Sequence, residues 1–598
     1  MKPMNHRFSA KLRLCAMLLV GCCASLAADR PNILIIFTDD QGYGDLACYG
    51  NQKNRTPRLD RLAAEGTRFT SFYSQTVCGP SRSALLTGRY PQLSLGWSMP
   101  ARETTFAELI REVGYQTACV GKWDVSNRRA IVDRMPNAQG FDYYFGPLGA
   151  NDGGRVKFHE NNEEAGTTDD MGSLIRRYTD KSIDYLEHKR DPQRPFVLYL
   201  AHTMMHTIID ASPKFRGTSA GDLYGDVVEE FDHETGRLLD KLDALGLRDN
   251  TLVIYTSDNG PWNQPKYYLK KKGHPAGSIF WGEAGPLRNG KGSCYEGGYR
   301  APCIVRWPGK VPSGRVSDAV WATIDFLPTF AGLAGFPVPT DRPIDGIDQT
   351  GLLLGKTEEG RASFYFDNAG IRMGKWKYLL PKAHFFGYAV EDDREKVDEL
   401  YDLNADIGET TNLAAKHPDI VARLKQATQK ILIRKPGPPP GISLPMKKLK
   451  GRIPLKARSQ YPPESSPLVV AKSLKITATI NSQSPDGVIV AQGGSLVGYS
   501  LYLRDGRLIF GVRVSKQLEE LKSEPVVTGK TVKVEARLGK DGRRSLTVDG
   551  VKVTATGPKL DPQPAMGLST GEDQGPDVGR YENEKFQGAI TDLVLEVE

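Results

Sequence analysis

Beyond its first thirty residues the chain has no apolar run long enough to cross a bilayer, which excludes a transmembrane helix there. It has no CxxC pair, which removes the common structural-zinc and redox motifs. Cysteine is scarce: of 8, Cys15, Cys22 and Cys23 fall in the first 28 residues, leaving Cys48, Cys78, Cys119, Cys294 and Cys303. An odd number in an exported chain singles one out for a special role. The other four pair or stay reduced, and spacing does not choose. A broad basic face is also missing, despite a formal net charge of +8. Residues 1–28 hold four basic residues and no acid, and residues 434–458 hold eight and no acid, so the remainder stands at −4. The positive balance sits in a leader and a tether, and no folded signature for nucleic acid is present. What remains is 598 residues of ordinary globular composition, 39% hydrophobic and 25% charged, enough for more than one domain.

The N-terminus reads as an export signal. A basic start precedes the apolar run Leu14–Val20, and small residues lead to Asp29-Arg30-Pro31, so cleavage near Ala27 or Ala28 fits. The competing reading is a lipobox, Leu19-Val20-Gly21-Cys22, with Cys22 carrying a lipid anchor. Either places the protein in the periplasm or outside the cell.

Four segments follow residues 1–28. Residues 29–340 alternate strand-length apolar runs with helical patterns, as in an α/β fold. The runs are Asn32–Phe37, Thr117–Val120, Phe196–Leu200, Leu252–Tyr255 and Cys303–Val305. Continuous apolar strands are expected where both faces of a sheet are covered. Residues 341–433 read as a small α+β subdomain. Residues 434–466, rich in Pro and Lys, read as an extended linker. Residues 467–598 alternate over short runs between Asp505-Gly506, Asp541-Gly542 and Asp549-Gly550 turns, the pattern of an all-β sandwich. The expected architecture is a mixed sheet flanked by helices, with both smaller parts appended.

The α/β runs end in Thr38-Asp39-Asp40, Gly121-Lys122-Trp123-Asp124, Ala201-His202 and Ser257-Asp258-Asn259. Ligand sites in open α/β sheets lie beyond the carboxyl ends of strands, so these groups are expected to converge. Asp39, Asp40, Asp258 and Asn259 are hard oxygen donors, suited to Ca²⁺ or Mg²⁺ more than to Zn²⁺. Cys78-Gly79-Pro80-Ser81-Arg82 continues as Ser83-Ala84-Leu85-Leu86-Thr87-Gly88-Arg89. A helix start favours an anion, and Arg82 offers a bidentate fork to one.

On that Cys-x-Pro-x-Arg segment and its Leu-Leu-Thr-Gly-Arg extension, the chain resembles the formylglycine sulfatases of the alkaline-phosphatase-like superfamily. The resemblance covers roughly residues 30–430, including Leu287–Pro302 and Gly408–Leu413. It implies that a maturase converts Cys78 to formylglycine (3-oxoalanine), whose hydrated aldehyde attacks sulfur. It further implies that Asp39, Asp40, Asp258 and Asn259 bind calcium together with residue 78, and that Lys122 and Lys291 contact the sulfate. His206 is the candidate general acid and His202 the fallback. The family's Gly-Lys-Trp-His becomes Gly121-Lys122-Trp123-Asp124 here, leaving Asp124 as candidate base. Residues 467–598 are similar to laminin-G or concanavalin-like sandwiches.

Residues 261–285 mix aromatics with cations: Trp262, Lys266, Tyr267, Tyr268, Lys270, Lys271, Lys272, His274 and Trp281. Rings stack on pyranose faces and lysines meet anions, so a sulfated glycan is the expected substrate and partner. The competing functions are a phosphatase or phosphodiesterase of the same superfamily and a non-catalytic glycan-binding protein.

Overall fold

The computed structural model describes residues 30–598 except 131–133, 264–273, 275–276, 384–385, 387–394, 433, 435–450, 462–465, 495–496, 515–516, 562–563, 565–566, 574–577 and 582–584. The segment read as an export leader, with Cys22, lies outside the described residues, as do Lys266, Tyr267, Tyr268 and Lys270–Lys272. No helix among the described residues is long and apolar enough to cross a membrane. The chain divides into two units, 1–436 and 437–598.

In the first unit, strand β1 (Asn32–Thr38) is buried throughout. Ile33, Ile35 and Phe37 enter one hydrophobic core, and Leu34 and Ile36 enter another. Successive side chains point to opposite faces, so a strand covered on both sides is apolar at every position. The sheet continues through β2 (Thr67–Tyr73), β3 (Gln116–Gly121), β4 (Tyr143–Gly146), β5 (Val156–Glu160), β6 (Glu163–Thr168), β7 (Phe196–Ala201), β8 (Thr251–Ser257), β9 (Arg300–Arg306), β10 (Arg315–Ser317) and β11 (Trp321–Ala322). Its order is β10-β2-β9-β8-β1-β7-β3-β4-β5-β6, with β11 beside β2. The centre is parallel, whereas β9 runs antiparallel to both β8 and β2. This is the mixed sheet expected. Helices cover both faces. Leu59 of α1 (Pro57–Ala64), Tyr178 of α4 (Leu174–Asp184) and Val227 of α5 (Asp222–Ala244) fill one core. Leu85 of α2 (Cys78–Thr87), Ile110 of α3 (Phe106–Glu112) and Phe330 of α6 (Phe326–Ala334) fill the other.

Strands β12 (Ser363–Phe366), β13 (Gly370–Met373), β14 (Trp376–Leu379) and β15 (Glu399–Asp402) make a separate antiparallel sheet. Helix α7 (Pro418–Leu432) packs Leu424 on Ile371, Tyr378 and Leu400 of this sheet. Lys377 is fully buried between Glu296 at 3.0 Å and Glu409 at 2.8 Å, tying the Gly408–Leu413 segment to the large sheet's helical side.

The second unit holds β16 (Gly451–Pro454), β17 (Gln460–Tyr461), β18 (Leu474–Ser482), β19 (Gly487–Gly493), β20 (Gly498–Arg504), β21 (Arg507–Val514), β22 (Gln517–Pro525), β23 (Thr531–Leu538), β24 (Arg543–Val548), β25 (Val551–Thr556), β26 (Leu568–Thr570) and β27 (Gly588–Val597). They form two six-stranded antiparallel sheets, β16-β27-β18-β23-β24-β25 and β17-β26-β19-β20-β21-β22, around one shared core. Asp505-Gly506 and Asp549-Gly550 have positive φ at both residues and close two-residue hairpins, as the type I′ turn requires. Asp541-Gly542 differs: only Gly542 is left-handed, inside a longer loop.

The linker expected over 434–466 is corrected at its end. Residues 451–454 pair with β27 and residues 460–461 with β26, and Ile453 and Tyr461 are buried. Pro454 misled the composition reading, because a sheet edge tolerates a proline that donates no ladder hydrogen bond. Cys48, Cys78, Cys119, Cys294 and Cys303 are all free thiols.

Candidate active site

Register brings the strand ends together. Thr38 lies opposite Ser257, Phe37 opposite Ala201, and Ala201 opposite Gly121. Asp39-Asp40, Asp258-Asn259, His202 and Lys122 therefore leave four adjacent strands at one edge. Gly121 has φ +114°, and a Cβ there would lie 1.9 Å from the Ala201 carbonyl oxygen, so only glycine delivers Lys122 at this height. Cys78 is the first residue of α2, which starts after the extended Val77 and ends at left-handed Gly88. Helix α2 is buried along its length, and its N-terminus meets these strand ends.

The acids are individually paired. Asp39 Oδ2 accepts from Lys122 Nζ at 2.7 Å. Asp40 contacts Lys291 Nζ at 2.7 Å and accepts from Asn259 Nδ2 at 2.7 Å. Asp258 Oδ2 accepts from Arg82 Nη2 at 2.8 Å, and its Oδ1 accepts from the Asp40 amide at 3.2 Å. Burial opposes ionisation of Asp39, but Lys122, His206, Arg82 and Lys291 outweigh it and hold this carboxyl well below the usual range. Asp258 goes the other way, raised by burial and by the charge of Asp39. Burial pushes the Cys78 thiol up to about 12, so the unmodified residue is a poor nucleophile.

Asp39, Asp40 and Asp258 each offer an oxygen, all within 4.8 Å of one another. Asp39 Oδ1 and Asn259 Oδ1 are buried with no hydrogen-bond partner. Unpaired buried carbonyl and carboxylate oxygens are costly unless a cation meets them. The donor set fits a hard divalent ion.

Four further candidate positions are Arg82, His202, His206 and Asp124. Arg82 is fully buried, and its guanidinium serves Asp258 and the carbonyls of Lys122 and His202, so it braces a candidate ligand and faces no open space. His202 lies between the rings of Tyr178 and Phe231, away from the cleft, with its pKa pulled by burial to about 3. His206 lines the cleft beside Cys78, Trp262 and Lys291. Its Nδ1 donates to the Thr207 carbonyl at 2.7 Å, which leaves Nε2 facing Asp40 and Asp152, each at 3.7 Å. Burial, then Lys291, lowers its pKa. Asp124 is fully buried and both oxygens are taken: Oδ1 by Arg128 Nε at 2.7 Å, Oδ2 by Trp97 Nε1 at 3.1 Å and Lys122 Nζ at 3.4 Å. Burial raises its pKa, but Lys122, Arg128 and Arg82 prevail and keep it low. Such a carboxylate is a fixed anion and a weak proton acceptor.

The cleft holds about 680 Å³, within the range of small-ligand sites. Trp97, Asn127, Arg128 and Asp152 line it and were not singled out by sequence. The available signal was Asp124: a buried acid demands a cation, and Arg128 stands four residues on. Of residues 261–285, Trp262 lines the cleft and sits 4.6 Å below Lys291 Nζ. His274 stacks on Phe280, and its Nε2 accepts from the Ile209 amide at 3.1 Å.

Residues 31–336 match the family model described as Sulfatase, and residues 289–434 match that of the N-sulphoglucosamine sulphohydrolase C-terminal region. The chain is 34% identical over 437 residues to N-acetylgalactosamine-6-sulfatase of Canis lupus familiaris, covering 66% of this chain and 80% of that protein. It is 34% identical over 474 residues to arylsulfatase A of Homo sapiens, covering 68% and 89%. A solved structure from work on glycosaminoglycan metabolism by Bacteroides thetaiotaomicron is 30% identical, with TM-score 0.60, and covers 68% of this chain and 100% of that one.

Proposed function

We propose how this chain, which belongs to the sulfatase family and hydrolyses sulfate esters, performs that reaction and on what substrate. The observation that carries the reading is the convergence of Cys78, at a helix N-terminus, with an all-oxygen acid cluster, Lys122, Lys291 and His206. As formylglycine, made by a maturase, residue 78 supplies one hydroxyl of its hydrate to attack sulfur; the second then loses its proton to water as the C=O bond re-forms and the C–O bond to sulfate breaks. Asp39, Asp40, Asp258 and Asn259 would hold calcium, whose charge favours the sulfate oxygens.

Lys291 and Lys122 present fixed positive charge where negative charge grows as the S–O bond breaks. Arg82 keeps Asp258 aimed at the cluster. His206 acts as the imidazolium, which Asp40 and Asp152 favour at 3.7 Å, and its Nε2, on the open side of the ring, gives a proton to the departing alkoxide. Asp124, assigned by sequence as a base, acts here as a brace that fixes Lys122 and Arg128. The clustered oxygen donors and the Cys-led helix favour this reading over a phosphatase. An intact site favours it over a non-catalytic binder.

The substrate is a sulfated glycan. One relative is named for N-acetylgalactosamine and one solved structure comes from glycosaminoglycan metabolism, and Trp262, Lys291 and Arg128 give the cleft a ring face and two cations. We also assign export to the periplasm or beyond, from the leader, and a laminin-G or concanavalin-like type to the second unit, from its two antiparallel sheets. The test is peptide mass spectrometry across residue 78, on protein made with a maturase, alongside sulfate release. A loss of about 18 mass units with turnover supports the reading. A retained thiol with full turnover overturns it.

A further inference from the structure

We infer that Arg128 is a specificity-determining residue that recognises a second acidic group on the sugar, a carboxylate or a further sulfate, beside the ester that is cleaved. The inference rests on the sulfatase reading and deepens it. Arg128 lines the same cleft as Cys78, His206 and Lys291. Two carboxylates aim it: Asp124 holds Nε at 2.7 Å, and Asp152 holds Nη1 at 2.8 Å. Nη2 has no hydrogen bond among the described residues, and the side chain is 41% exposed. A guanidinium clamped on two edges and open on the third is a preorganised donor for a planar or tetrahedral oxyanion.

The loop is shaped around this side chain. Asp124, Asn127 and Arg128 all lie in the left-handed region, at φ 59°, 58° and 61°. The Asn127 amide donates to the Trp97 carbonyl at 2.7 Å. A Cβ on Gly149 would stand 3.1 Å from Arg128 Cδ, so glycine there leaves room for the arm. Lys122, at 3.4 Å from Asp124, is shared with Asp39 at 2.7 Å, so Arg128 also serves Asp124, yet that pairing occupies only its Nε and leaves Nη2 to a ligand. A cation that is more than a third exposed, at the mouth of a cleft and fixed by two acids, is arranged to meet a ligand.

The experiment compares kcat/KM for three sulfated sugars of one skeleton: neutral apart from the scissile sulfate, with an added carboxylate, and with a second sulfate. Matured wild type is expected to favour at least one acidic sugar about tenfold or more, mainly through KM. Arg128→Gln should reduce kcat/KM on that sugar at least tenfold more than on the neutral one. Arg128→Lys, which keeps charge but loses the fork, should retain part of the preference. Which acidic sugar gains tells carboxylate from sulfate. No preference in wild type, or an equal loss by Arg128→Gln on all three sugars, overturns the inference. Matured protein that cleaves none of the three and no aryl sulfate overturns the sulfatase reading instead.

Discussion

Replacing Asp124 with Asn separates a brace from a base. The substitution keeps the shape and one acceptor oxygen and removes a buried charge. Removing one member of a buried ion pair costs about 3–5 kcal/mol when the other is stranded. Neither cation is stranded here: Lys122 keeps Asp39 at 2.7 Å, and Arg128 keeps Asp152 at 2.8 Å. A loss of about 2 kcal/mol follows. In a unit of roughly 400 residues, that lowers the calorimetric Tm by about 2–3 °C. The kinetic effect should be a loss of about 10–100-fold in kcat/KM from loosened cations, with no change in which step limits turnover. The assay is pre-steady-state release of the alcohol and of sulfate, with intact mass spectrometry of the quenched enzyme. A burst of alcohol ahead of sulfate, with accumulation of covalently sulfated enzyme about 80 mass units heavier than the hydrate, would refute the reasoning. Asp124 would then be the proton acceptor for release.

Lys291→Ala should cost about 10²–10³ in kcat, measured on matured protein with a sulfated sugar, since it removes fixed charge at the reacting oxygens. His206→Ala should lose about 10²–10⁴ on an alkyl sulfate and far less on a nitrophenyl sulfate, whose leaving group needs no proton. A calcium chelator should abolish turnover and lower Tm, and Ca²⁺ should restore both better than Zn²⁺. Asn259→Ala should weaken that rescue in a calcium titration. Acid should loosen the junction at Glu296. Burial resists its ionisation, but Lys377, Arg300 and Arg372 hold its pKa below the ordinary 4.5. Its stabilising contribution is thus complete above about pH 4.5 and is lost as pH falls through its lower folded value. The gap between thermal melts of wild type and Glu296→Gln should narrow steadily from pH 5 to 3, and close only near the folded pKa of about 2.

The large sheet was legible because β1, β7 and β8 carry runs that only two-sided burial explains. The candidate site was legible at Cys78 and Lys291, where local motif and chemistry agree. Arg82 was legible as a needed residue, but its partner was not, because Asp258 is distant in sequence and reaches it only through strand register. The same holds for Arg128 and Trp97, whose significance comes from the buried charge they surround. His202 and His206 look alike in sequence. They separate only because one faces the Tyr178–Phe231 core and the other the cleft. The strand at 451–454 was hidden by Pro454, which an edge tolerates and a linker also favours, and by the lysines that precede it.

The alternation of β1 between two cores has an evolutionary price. Asp39 and Asp40 follow directly from that strand, so slipping it by one residue would exchange Leu34 and Ile36 with Ile33, Ile35 and Phe37 and misplace both acids at once. Chemistry here is inherited as a block with the packing beneath it. Divergence toward new sugars must therefore come from loops whose changes leave that packing intact. Asn127, Arg128 and Asp152, which line the cleft above buried Asp124, are where a library for altered specificity should be aimed.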